Sequence, residues 1–366
     1  MHTEPGGDVS RQPTERLFNL DYLRGAAAFS IMIYHYFSWS YGKYDANTAM
    51  SRIGVYGVSL FYILSGLTLY HVYFNKLDAS TSGLTDFFKK RFFRIYPLMW
   101  LVIILNLMVT IRVPQAQKLL LNLSGLFGFV SWDSYYAVGL WSIGNELVFY
   151  VFFPVFVLLM KFSRPAMVIL GIMVLALYVY FAFYRLSPDL TLSEQWRDYV
   201  NPLNQVFLFM SGFFMGHFFK SQKVNPLIVL TILLIGLAVF VFYPATGDRI
   251  SLVTGIPRII FTVVCLMICF SFFKLKIPLP HYLHHPLTKL GESSYSVYLL
   301  HPIIWKLFYY FSRGSREYLS IEIPQWILIT VAGITSLYVS YLVYMKYEKY
   351  FQRLGRKNFN LPLKFR

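Results

Sequence analysis

The chain has 366 residues, of which 57% are hydrophobic, 19% are aromatic and only 14% are charged. This composition excludes an ordinary soluble enzyme, because the apolar stretches run to about twenty residues and can cross a hydrocarbon core about 30 Å thick. The net charge of +16 does not call for a nucleic-acid partner, since basic loops beside anionic lipid account for it. We therefore expect an all-α, polytopic integral membrane protein that contacts lipid and binds no nucleic acid.

The apolar stretches predict one membrane bundle at residues 17–346, with polar, basic tails at 1–16 and 347–366. Ten spans are predicted, at 17–40, 53–75, 86–111, 138–161, 166–185, 202–219, 225–243, 254–273, 289–312 and 324–346. A further apolar piece at 119–130 is too short to cross and is expected to be re-entrant or interfacial. Lysine and arginine concentrate on the side that carries both tails, which predicts cytoplasmic termini. Residues 1–16 and 352–366 are expected to be loosely ordered.

The first span carries Asp21, Arg24 and His35. On an α-helix the step from Arg24 to His35 makes about three turns and roughly 16 Å of rise, so both side chains leave from nearly the same face. Ionisable groups inside a membrane need protein or water around them, and such a pair indicates a functional site. Two simpler interpretations stay open: Asp21 and Arg24 could form only a local ion pair, and His35 could be a satisfied core residue.

Small residues recur in the second span, at Gly54, Gly57, Ser65 and Gly66. Small side chains let helices approach closely in lipid, so this pattern is typical of helix packing.

The third span begins with a basic cluster that includes Lys90, Arg91 and Arg94, followed by Pro97. Arg91 and Arg94 are three residues apart and therefore neighbours on one helical face. Two interpretations are open. The cluster could be a positive-inside anchor, or it could bind a phosphate-bearing ligand from the cytoplasm, since guanidinium groups grip phosphate oxygens in pairs.

The fourth span carries Trp141, Ser142 and Glu146 in an otherwise apolar helix. No lysine or arginine lies within one helical turn of Glu146, so this carboxylate needs a partner from another span. His35 and Arg24 are the candidates, and a carboxylate beside His35 would orient its imidazole ring. A purely structural role for Glu146 is the alternative.

Taken together, these segments resemble successive signatures of the type 3 membrane acyltransferases. The matching runs are LDYLRGAAA at 20–28 followed by His35, GVSLFYILSG at 57–66, RFFRIYP at 91–97, WSIGNELVFY at 141–150 and LGESSYSVYLLHP at 290–302. They occur in the family's order and cover about residues 17–346. One difference is that Asn145 precedes Glu146 where the family more often has a second charged residue.

The resemblance implies a multi-pass enzyme of a cell membrane, expected to be a bacterial inner membrane. Such enzymes move an acyl group, usually acetyl from acetyl-CoA, to a hydroxyl of a carbohydrate, such as a surface polysaccharide or its lipid-linked precursor. The resemblance ties His35 to catalysis, as a base or a transient acyl carrier, with Arg24 in the same motif. It links Arg91 and Arg94 to the acyl-CoA donor. Homo-oligomer formation is left open.

Four more residues complete the expected site. Glu146 is expected to be a catalytic group, and either Glu146 or a neighbouring residue is expected to hold the His35 ring. Lys90, Ser65 and Trp141 are expected to bind the donor, and no metal is expected.

A proton-coupled secondary transporter is the alternative function, because it would use the same intramembrane histidine, arginine and glutamate. That class predicts an inverted repeat, and the two halves of this sequence do not match. His301, which precedes Pro302 in the ninth span, is interpreted either as a structural histidine or as an acceptor-binding residue. His281, His284 and His285 are expected in a cytoplasmic loop, without the carboxylate or cysteine that would join them in a metal site.

Overall fold

The computed structural model describes residues 16–276 and 279–357, and every regular element in these ranges is helical. The helices are α1 (Phe18–Tyr41), α2 (Ala49–Tyr73), α3 (Thr81–Thr110), α4 (Ala116–Ser124), α5 (Phe127–Val130), α6 (Leu140–Phe162), α7 (Arg164–Tyr180), α8 (Trp196–Tyr199), α9 (Pro202–Phe219), α10 (Pro226–Phe242), α11 (Ile250–Val253), α12 (Gly255–Lys274), α13 (His281–Glu292), α14 (Ser294–Leu319), α15 (Gln325–Val343) and α16 (Lys349–Arg356). Short π-helical turns follow α7 and α15, at Phe181–Arg185 and Tyr344–Glu348. The all-α fold class is confirmed.

A helix occupies each of the ten predicted spans. Among the described residues, six helical segments are long and apolar enough by themselves to cross a membrane: Ala49–Tyr73, Thr81–Thr110, Leu140–Phe162, Arg164–Arg185, Gly255–Lys274 and Gln325–Arg356. α10 is also apolar but has only 17 residues. α1 is 24 residues long but carries Asp21, Arg24 and His35, which lower its apolar content.

Successive long helices run in opposite directions, so their ends collect on two faces. On the face where α1 begins, which we call the N-terminal face, Lys161 Nζ donates to the carbonyl of Leu77 at 2.7 Å. On the opposite face, Arg52 is 1% exposed and donates to the carbonyl of Tyr243 at 2.6 Å, beyond the end of α10. These contacts join segments distant in sequence: the ends of α2 and α6 meet on one face, and the start of α2 meets the end of α10 on the other.

Small residues bring α2 very close to α9. A Cβ atom on Gly66 would lie 2.0 Å from the Phe209 carbonyl oxygen, and one on Gly212 would lie 2.0 Å from the Ile63 carbonyl oxygen. The two backbones therefore touch through glycines on both sides, which a larger residue would prevent. The prediction that small residues of the second span serve helix packing is confirmed for Gly54, Gly57 and Gly66, whereas Ser65 hydrogen-bonds to Glu146.

The ninth predicted span, 289–312, was wrong as a single helix. Ser293 separates α13 from α14, and the latter continues to Leu319. The region expected to be a histidine-containing loop is the first part of α13, which packs along α1: a Cβ atom on Gly291 would lie 2.2 Å from the Asp21 carbonyl oxygen. His284 lies on the side of α13 that faces α1, with its Nδ1 2.6 Å from Tyr22 OH.

The predicted loose tail after residue 352 was also wrong for its first residues, because α16 extends to Arg356. α16 packs on α3, where a Cβ atom on Gly355 would lie 2.8 Å from Phe93 Cβ. Residues 1–15 and 358–366 of the predicted tails lie outside the described residues.

The apolar piece at 119–130 falls within two short helices, α4 and α5, joined at Gly125 in the left-handed region at φ +76°. Tyr96 donates to the Ser124 carbonyl and Trp100 to the Leu123 carbonyl, each at 2.8 Å, which holds the pair against α3. Neither helix is long enough to cross a membrane, as predicted.

Candidate active site

A cavity of about 540 Å³ lies between α1, α2, α3, α6 and α14. It reaches the N-terminal face, where Arg16 and Arg356 are exposed. Its charged lining comprises five arginines and three carboxylates: Arg16, Arg24, Arg91, Arg94, Arg356, Asp21, Glu146 and Glu292. The lining is therefore net positive, which favours an anionic ligand.

Eight residues were predicted for the site, and the structure brings five of them to this cavity: Arg24, Ser65, Arg91, Arg94 and Glu146. The other three, His35, Lys90 and Trp141, do not line it.

Arg24 reaches the cavity wall from α1. One guanidinium nitrogen lies 3.6 Å from Asp21, and another donates to Thr68 Oγ1 at 2.5 Å and to the Leu64 carbonyl at 3.2 Å. The local ion pair considered from the sequence therefore exists. Arg24 also links α1 to α2 through its hydrogen bonds to Thr68 and Leu64, whereas the ion pair with Asp21 lies within α1.

Arg16 is the bridge at the cavity mouth. It lies 2.8 Å from Asp21 and 2.8 Å from Glu292, so one guanidinium joins α1 to α13. These two carboxylates, together with the hydrogen bonds they form, raise the pKa of Arg16 even though burial lowers it. Arg16 is consequently a fixed positive charge at the entrance.

Arg94 is neutralised by a residue that sequence reasoning missed. Its Nη1 lies 3.2 Å from Glu348 Oε2, and the Glu348 side chain is 2% exposed. Ser296 Oγ donates to the other oxygen of the same carboxylate. The only sequence signal for Glu348 was a lone acidic residue among basic ones just past the last predicted span.

Arg91 has a different environment. Its Nη2 donates to Tyr73 OH at 3.1 Å, and its guanidinium carbon lies 5.3 Å from the centre of the Tyr73 ring and 5.7 Å from that of Tyr150. Its Nε is buried without a hydrogen-bond partner. No carboxylate from the described ranges forms an ion pair with it. Arg91 is thus a cavity-lining cation with unused hydrogen-bonding capacity.

Glu146 lies deeper in the cavity. Ser65 Oγ donates to its Oε1 at 2.8 Å, and Tyr150 OH donates to the same oxygen. Within residues 16–276 and 279–357, the expected partners, His35 and Arg24, form no hydrogen bond or ion pair with Glu146, and His35 is hydrogen-bonded to His301. Two hydroxyl groups, Ser65 on α2 and Tyr150 one turn later on α6, satisfy this carboxylate, and a count of charged residues does not reveal them.

Lys90 and Trp141 have contacts of their own. Lys90 Nζ lies 2.5 Å from Asp86 one turn earlier on α3. Trp141 is 8% exposed and packs edge-on against Trp196, with ring centres 5.6 Å apart. Neither side chain lines the cavity.

The inner end of the cavity is closed by Tyr298 and Ser142, whose hydroxyl oxygens are 2.9 Å apart. Ser142 donates its single hydroxyl hydrogen to the Gly139 carbonyl at 2.8 Å, so Tyr298 is the donor in the pair. Tyr298 thereby presents an O–H group at the inner end.

His35 lies beyond Tyr298, in the half of α1 nearer the opposite face. Its Nδ1 is 3.0 Å from His301 Nε2, and the two rings stack with centres 5.1 Å apart. The Trp39 ring stacks on His35 with centres 4.9 Å apart. Tyr298 connects the two regions, since its ring centre is 6.3 Å from that of His301. The contact with His301 joins residues of α1 and α14 and could not be read from spacing.

The comparison with known proteins bears on the whole bundle. Residues 17–345 match the acyltransferase 3 family, described as an acyltransferase domain. The chain belongs to the acyltransferase 3 family. This assignment confirms the resemblance drawn from the motifs and supports a membrane acyltransferase.

Among curated proteins, this acyltransferase 3 family member is similar to "Protein 2 in picA locus" of Rhizobium radiobacter, at 37% identity over 90 residues. The match covers 25% of this chain and 44% of that protein, so the chain spans under half the length of this relative. No solved structure matches the chain.

Proposed function

We propose that the protein is a membrane O-acyltransferase that moves an acyl group, most simply acetyl, from acyl-CoA to a hydroxyl of a carbohydrate acceptor. The observation that carries the proposal is the net positive cavity, which reaches the N-terminal face and ends at Tyr298, with the His35 and His301 pair directly behind it. We assign the N-terminal face to the cytoplasm from the positive-inside bias, in a bacterial inner membrane.

The donor enters from the N-terminal face in this proposal. A cavity of about 540 Å³ is the size of a small-molecule site and holds only part of a CoA molecule. We therefore assign the nucleotide phosphates to the exposed rim at Arg16 and Arg356, and the pantetheine arm to the interior. Arg91, with its unused Nε–H, is the inner cation best able to donate to a donor oxygen.

His35 acts as the general base on the acceptor hydroxyl. As the acceptor O–H gives its proton to His35, the acceptor oxygen forms a bond to the thioester carbonyl carbon. The Tyr298 O–H can turn from Ser142 to the oxyanion that develops. The C–S bond then breaks and the CoA thiolate takes the proton from His35, leaving an acyl ester and a free thiol. Because Tyr298 lies between the cavity and the His35 pair, its side chain must move for the thioester to reach the base.

The carbohydrate acceptor rests on the family resemblance. We place it at the opposite face, because His35 lies in that half of α1 and its stacking partner Trp39 is 39% exposed. A surface polysaccharide or its lipid-linked precursor has the hydroxyl groups that the chemistry needs.

Purified protein in proteoliposomes tests the proposal, with thiol release from acetyl-CoA and transfer of labelled acetyl to host polysaccharide as readouts. His35→Ala should abolish transfer while His217→Ala, a histidine outside the cavity lining, should leave it intact. Full transfer by His35→Ala, with normal insertion shown by protease accessibility, would remove His35 from the mechanism. Movement of a labelled solute without thiol release would favour the proton-coupled transporter instead.

A further inference from the structure

We propose that His301 is a positioning residue that holds His35 in the tautomer with hydrogen on Nδ1 and the lone pair on Nε2. This inference rests on the proposed role of His35 as the base. It assigns a task to the late-span histidine, for which the sequence left two interpretations open.

A chain of two hydrogen bonds carries the argument. His301 Nδ1 lies 2.9 Å from the carbonyl oxygen of Val297, one turn earlier on α14. A carbonyl oxygen only accepts, so the hydrogen of this bond is on His301 Nδ1. In a neutral imidazole the other nitrogen is then an acceptor, and His301 Nε2 is 3.0 Å from His35 Nδ1. His35 must therefore donate from Nδ1, which leaves the lone pair on its Nε2.

The surroundings favour neutral rings. His301 is 1% exposed, and no carboxylate in residues 16–276 or 279–357 contacts either imidazole. The guanidinium of Arg249 already lies near them: it donates to Tyr34 OH at 2.6 Å, and the Tyr34 ring centre is 5.1 Å from that of His35. Protonation of either imidazole would add a second positive charge near Arg249, and that charge would be buried and unpaired, which is costly.

Neighbouring residues hold both the main chain and the ring of His301. Tyr36 OH donates to the His301 carbonyl at 3.0 Å and shares a 2.6 Å hydrogen bond with Ser336 on α15. Trp39 stacks near both imidazoles, with its ring centre 6.2 Å from that of His301. The pair of histidines consequently has little rotational freedom.

A neutral histidine does here what a carboxylate does in a serine hydrolase triad, where the third group fixes the tautomer of the base. A carboxylate in this place would add a charge to the membrane interior, whereas His301 and the Val297 carbonyl fix the same tautomer without one. The arrangement also explains why Glu146 is free to pair with Ser65 and Tyr150.

Two substitutions at His301 separate positioning from packing. His301→Asn can still donate to the Val297 carbonyl but is too short to reach His35. His301→Gln can place an amide oxygen where Nε2 was and accept from His35 Nδ1. We expect kcat to fall by at least about tenfold in His301→Asn, part of the 10²–10⁴-fold that general base catalysis supplies. His301→Gln should recover most of that loss, with KM for acetyl-CoA nearly unchanged in both, and His217→Asn serves as the matched control.

The tautomer is measured directly by ¹⁵N NMR of histidine-labelled protein in nanodiscs, with the His35 signals identified by their loss in His35→Ala. The expected result is a protonated Nδ1 and an unprotonated Nε2 in the full-length protein, and a mixture of tautomers in His301→Asn. A wild-type His35 protonated on Nε2, or an unchanged tautomer and unchanged kcat in His301→Asn, would overturn the inference. Full acyl transfer by His35→Ala would instead refute the proposed role of His35 as the base. The tautomer of His35 in the wild-type protein is a separate measurement, so the two failures are distinguishable.

Discussion

Arg91 and Arg94 are neighbours on α3, but they should respond differently to substitution. Arg91→Gln removes a guanidinium that donates to the Tyr73 hydroxyl, lies near the rings of Tyr73 and Tyr150, and has an unpaired Nε–H. This guanidinium has no carboxylate partner in the described ranges. The lost aromatic contacts correspond to about 1 kcal/mol of folding free energy. A charge-assisted hydrogen bond to a donor phosphate or carbonyl is worth about 1.5–3 kcal/mol, so CoA should bind roughly 10- to 150-fold more weakly.

Arg94→Gln should instead destabilise the fold. It leaves Glu348, whose side chain is 2% exposed, with only Ser296 and a 3.4 Å contact from Gln352. Removing one partner of a buried ion pair costs about 3–5 kcal/mol, and the 31% exposure of Arg94 reduces this to about 2–3 kcal/mol. Adding Glu348→Gln to the same chain removes the uncompensated charge, so the double variant should recover most of the stability.

Two measurements on detergent-solubilised protein are sufficient: calorimetric titration with CoA, and unfolding in mixed micelles of increasing SDS content. Lys90→Gln is the matched control for both, because its ammonium group is paired with Asp86 outside the cavity lining. Unchanged CoA affinity in Arg91→Gln would refute the assignment of Arg91 to the donor site. Inverted topology, measured separately by protease accessibility in membrane vesicles, together with unchanged affinity would mean that the cluster is only a positive-inside anchor.

Three further predictions concern the bundle. Gly212→Ala should cost at least about 1–3 kcal/mol of unfolding free energy in SDS titrations, since its Cβ would meet the Ile63 carbonyl at 2.0 Å, while Gly333→Ala, with no neighbour within 4 Å, should be neutral. Arg52→Met should cost at least about 3 kcal/mol in the same assay, because three carbonyls at the end of α10 lose a donor at 2.6–2.7 Å; a cost below 1 kcal/mol would contradict this. Asp248 lies in the loop before α11, where burial raises the pKa of its carboxyl group. Two backbone N–H donors at 2.8 and 2.9 Å outweigh burial and bring that pKa below its usual value of 3.8. The stability from these bonds is fully present above the unfolded pKa of about 4 and is lost as the pH falls through the lower folded value, so the stability difference between wild type and Asp248→Asn should be constant above about pH 5 and shrink steadily below about pH 4.

Local pattern was sufficient to predict the long apolar helices. Apolar length and helical period follow from interactions within one segment, and a helix was found at each of the ten predicted spans. The errors fell at polar amphipathic segments next to the membrane, α13 and α16, whose helical state depends on packing against α1 and α3. Hydropathy does not record such packing.

The sequence by itself determined the fold class, the family and a set of polar residues, because each depends on residue type and spacing along one helix. It could not determine which of those residues meet. Arg24 and His35 share a face of α1, yet the structure brings Arg24 to the cavity and places His35 beyond Tyr298, against His301. That pairing, like the one between Arg94 and Glu348, joins helices far apart in the chain. Such pairs are decided by how the helices pack, since the energy of a hydrogen bond depends on a distance that only the tertiary structure sets.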